Sequence, residues 1–153
     1  HLRGQDNILR YLPIKEMMIR LHPDDTLFDT LARIAAAKIA GCATRLSKPG
    51  DMVNEITDFL ASRYGRDFLD GIEMVDMSDE EPIRQMRALG RIRYAAADRV
   101  PALVFKAAAE TGFYISRAPV FMEGRLELLQ YFQQQAICDS YHRYGNLGER
   151  ALE

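Results

Sequence analysis

The side chains best suited to catalysis are few: Cys42 and Cys138, His1, His22 and His142, and the acidic pairs Asp24-Asp25 and Glu80-Glu81. A cysteine nucleophile needs a base beside it, and a metal site needs ligands at fixed spacing. Neither cysteine has a CxxC partner, and no histidine falls in a Cys/His/Asp cluster. Cys42 opens the apolar run 42–46 and reads as a small packed hydrophobe. Cys138 lies among polar residues near His142, where a reactive thiol is the sharper alternative. Two reduced thiols, rather than one long-range disulfide, are expected of the pair. Glu80-Glu81 precede Pro82 and suit the first turn of a helix, where acids favour the positive end of the dipole. No GxSxG elbow or HExxH helix is present. No catalytic residue and no metal ligand is therefore assigned.

Cofactor binding can be asked of the turns. A dinucleotide site needs glycines after its first strand, so that the backbone can approach a pyrophosphate at a helix N-terminus. The corresponding stretch, Leu21-His22-Pro23-Asp24-Asp25-Thr26, contains none. Asp24 and Asp25 sit where phosphate would lie, and their charge is expected to oppose it. The turn Ser47-Lys48-Pro49-Gly50-Asp51 has a lysine and a glycine without phosphate-loop spacing. No cofactor-binding residue is assigned either.

The elements that carry these turns alternate in period. Short apolar runs at 17–20, 42–46, 72–75, 92–95 and 113–115 read as strands. Between them lie helical patterns: 27–40, capped by Asp24 or Asp25 and stopped by Gly41; a stretch from Asp51 to near Gly65 with Val53, Ile56, Phe59 and Leu60 on one face; a stretch from Ser78 or Asp79 to Gly90; and one from Val100 to Thr111. This alternation predicts an α/β fold, Rossmann-like and doubly wound, with a mainly parallel sheet of about five strands. A short helix entered at Gly124, an extended arm over 136–144 and a turn at Gly145-Asn146 follow.

Length and composition agree with one soluble domain. The chain has 153 residues, 48% hydrophobic and 27% charged. A net charge of −2, from 20 basic and 22 acidic residues, gives no basic patch for nucleic acid. No apolar run approaches the roughly 18 residues of a membrane helix. With no signal-peptide pattern at the start, a cytoplasmic location is the default expectation. The start at His1, without an initiator Met, is that expected of a domain cut from a longer chain. Residues 152–153 match a common tag scar.

The tail carries a resemblance. Arg125-Leu126-Glu127-Leu128-Leu129, then Gln135-Ala136-Ile137, then Tyr141-His142-Arg143-Tyr144-Gly145-Asn146-Leu147-Gly148 resemble the C-terminal motif of the proline utilisation A family. That motif is a leucine-rich helix, a short extended segment and a Gly-Asn turn. Gly4-Gln5-Asp6-Asn7 with Leu9-Arg10-Tyr11-Leu12-Pro13 looks like the family's segment leading out of its aldehyde dehydrogenase module. The alanine-rich stretch 27–41 is similar to the first helix beyond it. The resemblance spans residues 4–150. It departs at 139–144, where the family commonly has small residues.

The resemblance implies a parent that oxidises proline with FAD. The parent then oxidises glutamate semialdehyde with NAD in its dehydrogenase module, passing the intermediate internally. This chain would be its non-catalytic, aldehyde-dehydrogenase-like C-terminal domain, covering the route between active sites. It would divide into a lead-in from the dehydrogenase module (1–13), a Rossmann-like body (14–118) and a terminal helix and arm (119–151). The arm's Tyr141, His142, Arg143, Tyr144, Gly145 and Asn146 are the candidate contacts with the dehydrogenase module, aromatic and arginine side chains being the usual interface anchors. Self-association of the chain is left open. Two other readings stay open: an independently acting NAD-dependent aldehyde dehydrogenase fragment, and an unrelated small-ligand-binding regulatory α/β domain.

Overall fold

The protein is described here by a computed structural model covering residues 5–140. Five strands, β2 (Glu16–Arg20), β3 (Ala43–Lys48), β4 (Glu73–Asp76), β5 (Arg91–Arg93) and β6 (Ile115–Ser116), form one sheet in the order β4-β3-β2-β5-β6. All four pairings are parallel, with Ile19 opposite Leu46 and Met18 opposite Ile92. All five expected strands are present, within a few residues of their expected bounds.

A parallel sheet covered on both sides needs apolar side chains on both of its faces. Strand β2 supplies them by simple alternation. Met17 and Ile19 enter a core with Ile34, Ala37, Leu46, Ile56 and Leu60, whereas Met18 joins Ile92, Val104, Ala108 and Ile115 in a second one. Helices α1 (Leu27–Ala40) and α2 (Glu55–Ala61) thus cover one face, and α5 (Ala102–Thr111) the other. Full burial of each of the larger of these side chains (Met, Ile, Leu, Val) is worth about 1.5–3 kcal/mol.

Local signals behave unevenly. Helix α1 ends at Gly41 and α5 at Gly112, both left-handed at φ 74° and 70°, a conformation that glycine adopts without the Cβ penalty. The cap of α1 is Thr26, however, and not Asp24 or Asp25. Its hydroxyl accepts from Asp29 N while Asp29 bonds back to Thr26 N, a reciprocal box. The stretch expected from Asp51 starts only at Asn54, whose side chain accepts from Ile56 N and Thr57 N. Val53 therefore lies outside the helix, and it is exposed. At Ser62 the chain leaves α2, and α3 (Arg63–Phe68) restarts it. The expected helix to Gly90 contracts to α4 (Glu81–Gln85).

After β6, α6 (Gly124–Leu128) and a 3-10 turn (Leu129–Tyr131) lead into β7 (Phe132–Ser140), which pairs with β1 (Gln5–Pro13) in a separate two-stranded sheet. Gln5 bonds to Cys138 and Arg10 to Gln135, so rising numbers on one strand meet falling numbers on the other. Residues 13–132 form one compact unit, and β1 with β7 belongs to another. Among the described residues no helix is long and apolar enough to cross a membrane.

Candidate functional site

In a doubly wound sheet the crevice for ligands opens at the carboxyl ends of the strands, where the strand order reverses. Here that point lies between β2 and β5. The β2–α1 connection that borders it is built around a carboxylate. Asp25 is fully buried, and its Oδ2 accepts from His22 N at 3.0 Å and from Arg33 Nη2 at 2.5 Å. Arg33, equally buried on α1, also donates to the carbonyls of Arg20 and Asp29. Asp24 on the rim pairs with Arg99 at 3.0 Å, and Arg99 Nε stands 3.9 Å from Asp25 Oδ1. The two carboxylates expected to repel an anion are thus both compensated by arginine.

Beyond this loop the crevice widens into a cleft of 380 Å³. Arg20 comes from the last position of β2 and Tyr94 from just past β5, and both are buried. Arg20 Nη2 donates to Met77 O and to Asp79 Oδ1 at 3.0 and 2.9 Å, and Nη1 has no partner among the described residues. The Tyr94 hydroxyl is unpartnered too. Burial raises its pKa strongly, with Arg20 pulling the other way. Pro101 at the N-cap of α5 and Asp51 in the β3–α2 turn complete the wall.

A second buried centre ties α6 to the sheet. Arg93 on β5 meets Glu127 on α6 through Nε and Nη2, at 2.9–3.1 Å. Glu127 also accepts from the Tyr131 hydroxyl and from Phe121 N. Arg93 Nη1 donates to the carbonyls of Tyr94 and Ala118. Every charged atom of the pair is engaged, so this centre is structural.

Among the described residues, those weighed as reactive do not converge. Cys42 is half-buried and donates to Tyr131 O, and burial raises its thiol pKa. Cys138 is exposed on β7. Glu81 accepts from Ser78 N, and Glu80 pairs with Arg84 along the helix. Lys48 pairs with Asp76 at 2.7 Å. Tyr141, His142, Arg143, Tyr144, Gly145 and Asn146 lie outside the described residues. Sequence reasoning missed Arg20, Arg33, Arg93 and Tyr94. For Arg20 and Arg93 the available signal was an arginine inside or ending a largely apolar strand run, which burial permits only with a built partner set.

No protein-family model matches the sequence, and no curated protein does. Among solved structures, proline utilisation A (PutA) from Corynebacterium freiburgense matches at 24% identity and TM-score 0.51, over 94% of this chain and 11% of that one. Histidinol dehydrogenase from Elizabethkingia anophelis matches at 20% identity and TM-score 0.55, over 76% of this chain and 29% of that one. The likeness is one of fold. The chain therefore spans about a tenth of the PutA chain and under a third of the histidinol dehydrogenase.

Proposed function

We propose that this chain is the non-catalytic C-terminal domain of a bifunctional, cytoplasmic proline-catabolic enzyme, carried on the same polypeptide as an NAD-dependent dehydrogenase module. It comprises the lead-in 1–13, the body 14–118 and the terminal helix and arm 119–151. Its work is to cover that module and the path of the intermediate, and Tyr141, His142, Arg143, Tyr144, Gly145 and Asn146 make the interdomain contact.

The observation that carries the non-catalytic reading is the seating of Asp25. A dinucleotide pyrophosphate needs free backbone N–H groups and positive charge in the β2–α1 connection. Here His22 N and Arg33 are already committed to a resident carboxylate. What opposes phosphate is occupied donors, since the carboxylate charges themselves are compensated. The fold shared with PutA over nearly the whole chain supports the parentage, alongside the residues of the tail.

Two experiments test the reading. The full open reading frame should encode an upstream flavin barrel and a cysteine-dependent dehydrogenase module; their absence ends the parentage. NAD titrated calorimetrically into the 153-residue chain should give no saturable heat. Binding tighter than about 100 μM would restore the cofactor-binding alternative.

A further inference from the structure

The cleft at the switch point has a charge pattern that nothing above uses. Its deep wall is made of donors. Arg20 Nη1 and the Tyr94 hydroxyl are buried without partners among the described residues, in residues 2% and 1% exposed. Beside them is Pro101, the N-cap of α5, a ten-residue helix with no side-chain cap; Val104 N donates to Pro101 O, and the N–H groups of Ala102 and Leu103 have no acceptor within the helix. The rim is acidic. Asp51 is exposed and, among the described residues, meets no cation and no donor.

Charge decides which ligand fits. Arg20 and Arg99 face Asp51, Asp79 and Asp98 around the cleft, two guanidiniums against three carboxylates, a net charge of −1. Arg20 is paired with Asp79 and Arg99 with Asp24 and Asp98. A purely anionic ligand gains little from cations already neutralised, and it meets the uncompensated Asp51. A cation alone leaves the deep donors unsatisfied, which costs about 1–3 kcal/mol for each buried group. A ligand with both charges satisfies both ends. The volume of 380 Å³ falls in the lower part of the range of small-molecule clefts, about 300–1,000 Å³.

We propose that this cleft binds a small zwitterion of the free α-amino acid class. Its carboxylate lies toward Arg20, Tyr94 and the start of α5, and its ammonium group lies toward Asp51. Leu21, His22 and Pro23 of the β2–α1 connection also line the cleft, but the buried Asp25–Arg33 pair does not.

The test is a proton–nitrogen NMR titration of the full chain with L-alanine, and with its two halves, propionate and ethylammonium. L-Alanine should move the Ala102 and Leu103 amides saturably, and each half should bind about tenfold more weakly or worse, the equivalent of one lost hydrogen bond to a charged group. Tyr94→Phe removes an unpartnered hydroxyl, so the variant should fold at least as stably as the parent sequence while binding L-alanine about tenfold more weakly. Asp51→Asn should weaken L-alanine similarly and strengthen propionate, whose carboxylate no longer meets an uncompensated negative charge. Absence of saturation by L-alanine overturns the proposal. So does propionate binding as tightly as L-alanine, or L-alanine affinity that neither substitution alters.

Discussion

Arg93 and Glu127, 34 residues apart in sequence, form a buried two-pronged ion pair that fastens α6 to β5. Tyr131 adds its hydroxyl to the same carboxylate at 3.1 Å. Removing one partner leaves the other charge buried alone. Glu127→Ala should therefore cost about 3–5 kcal/mol in urea unfolding. The double variant Arg93→Met with Glu127→Leu should be less destabilised than Glu127→Ala, since both charges then leave the core together. A double variant worse than the single one would refute this account.

The two buried phenols should make the protein lose stability in alkali. Burial raises the folded-state pKa of both Tyr94 and Tyr131, and Glu127 adds to the rise at Tyr131. In the unfolded chain both ionise near the ordinary value of about 10. Below that pH both states hold the proton and the contribution is constant. Above it the unfolded state sheds protons first, so stability declines as pH climbs toward the folded values. Phenolate absorbance should include a late step, the contribution of Tyr94 and Tyr131, that appears only on unfolding. Tyr131→Phe should reduce that late step by half.

Glycines at close approaches should be separable from glycines in open space. A Cβ at Gly65 would stand 2.5 Å from Leu60 Cα and closer still to the Phe59 carbonyl oxygen, where α3 folds back on α2. Backbone cannot yield cheaply there, so Gly65→Ala should destabilise by roughly 1–3 kcal/mol or more. Gly124, at the first turn of α6, has nothing among the described residues within 4 Å of such a Cβ. Gly124→Ala should be neutral or stabilising by up to about 1 kcal/mol. Thermal midpoints of the two variants should move in opposite directions or by very different amounts.

Thiol chemistry should distinguish the two cysteines. Cys138 is exposed, whereas Cys42 is half-buried with burial raising its pKa. The thiolate is the reactive form. A disulfide reagent at neutral pH should label one thiol quickly and the second slowly, and Cys138→Ser should abolish the fast phase. Two equal rates would contradict this packing of Cys42.

The five strands could be read from the chain because each is a short, largely apolar run between turn-forming residues, and the stop at Gly41 because a left-handed cap is a local demand of the backbone. Those features depend on neighbours a few residues away. The caps were less accessible: Thr26, Asp25 and Asp24 all carry side-chain acceptors, and only the position of Arg33 decides which carboxylate turns inward. Asp25 follows Arg33 into the interior, and Thr26 is left to cap α1. Helix 51–65 was misread because apolar spacing continues through Val53 and past Ser62, while side-chain bonds at Asn54 and Ser62 break it.

The sequence by itself determined that the body is a wound α/β sheet, since alternating periods of apolar residues allow little else. Only the tertiary structure decided the strand order that brings Arg20, Tyr94 and the start of α5 to one cleft, and the pairing of β1 with β7 across the whole chain. Both depend on contacts between residues tens to more than a hundred positions apart, as with Gln5 and Cys138 at a separation of 133. Such contacts arise where the chain closes a long loop around a shared core, and no local run of residues encodes which distant partner that closure will supply.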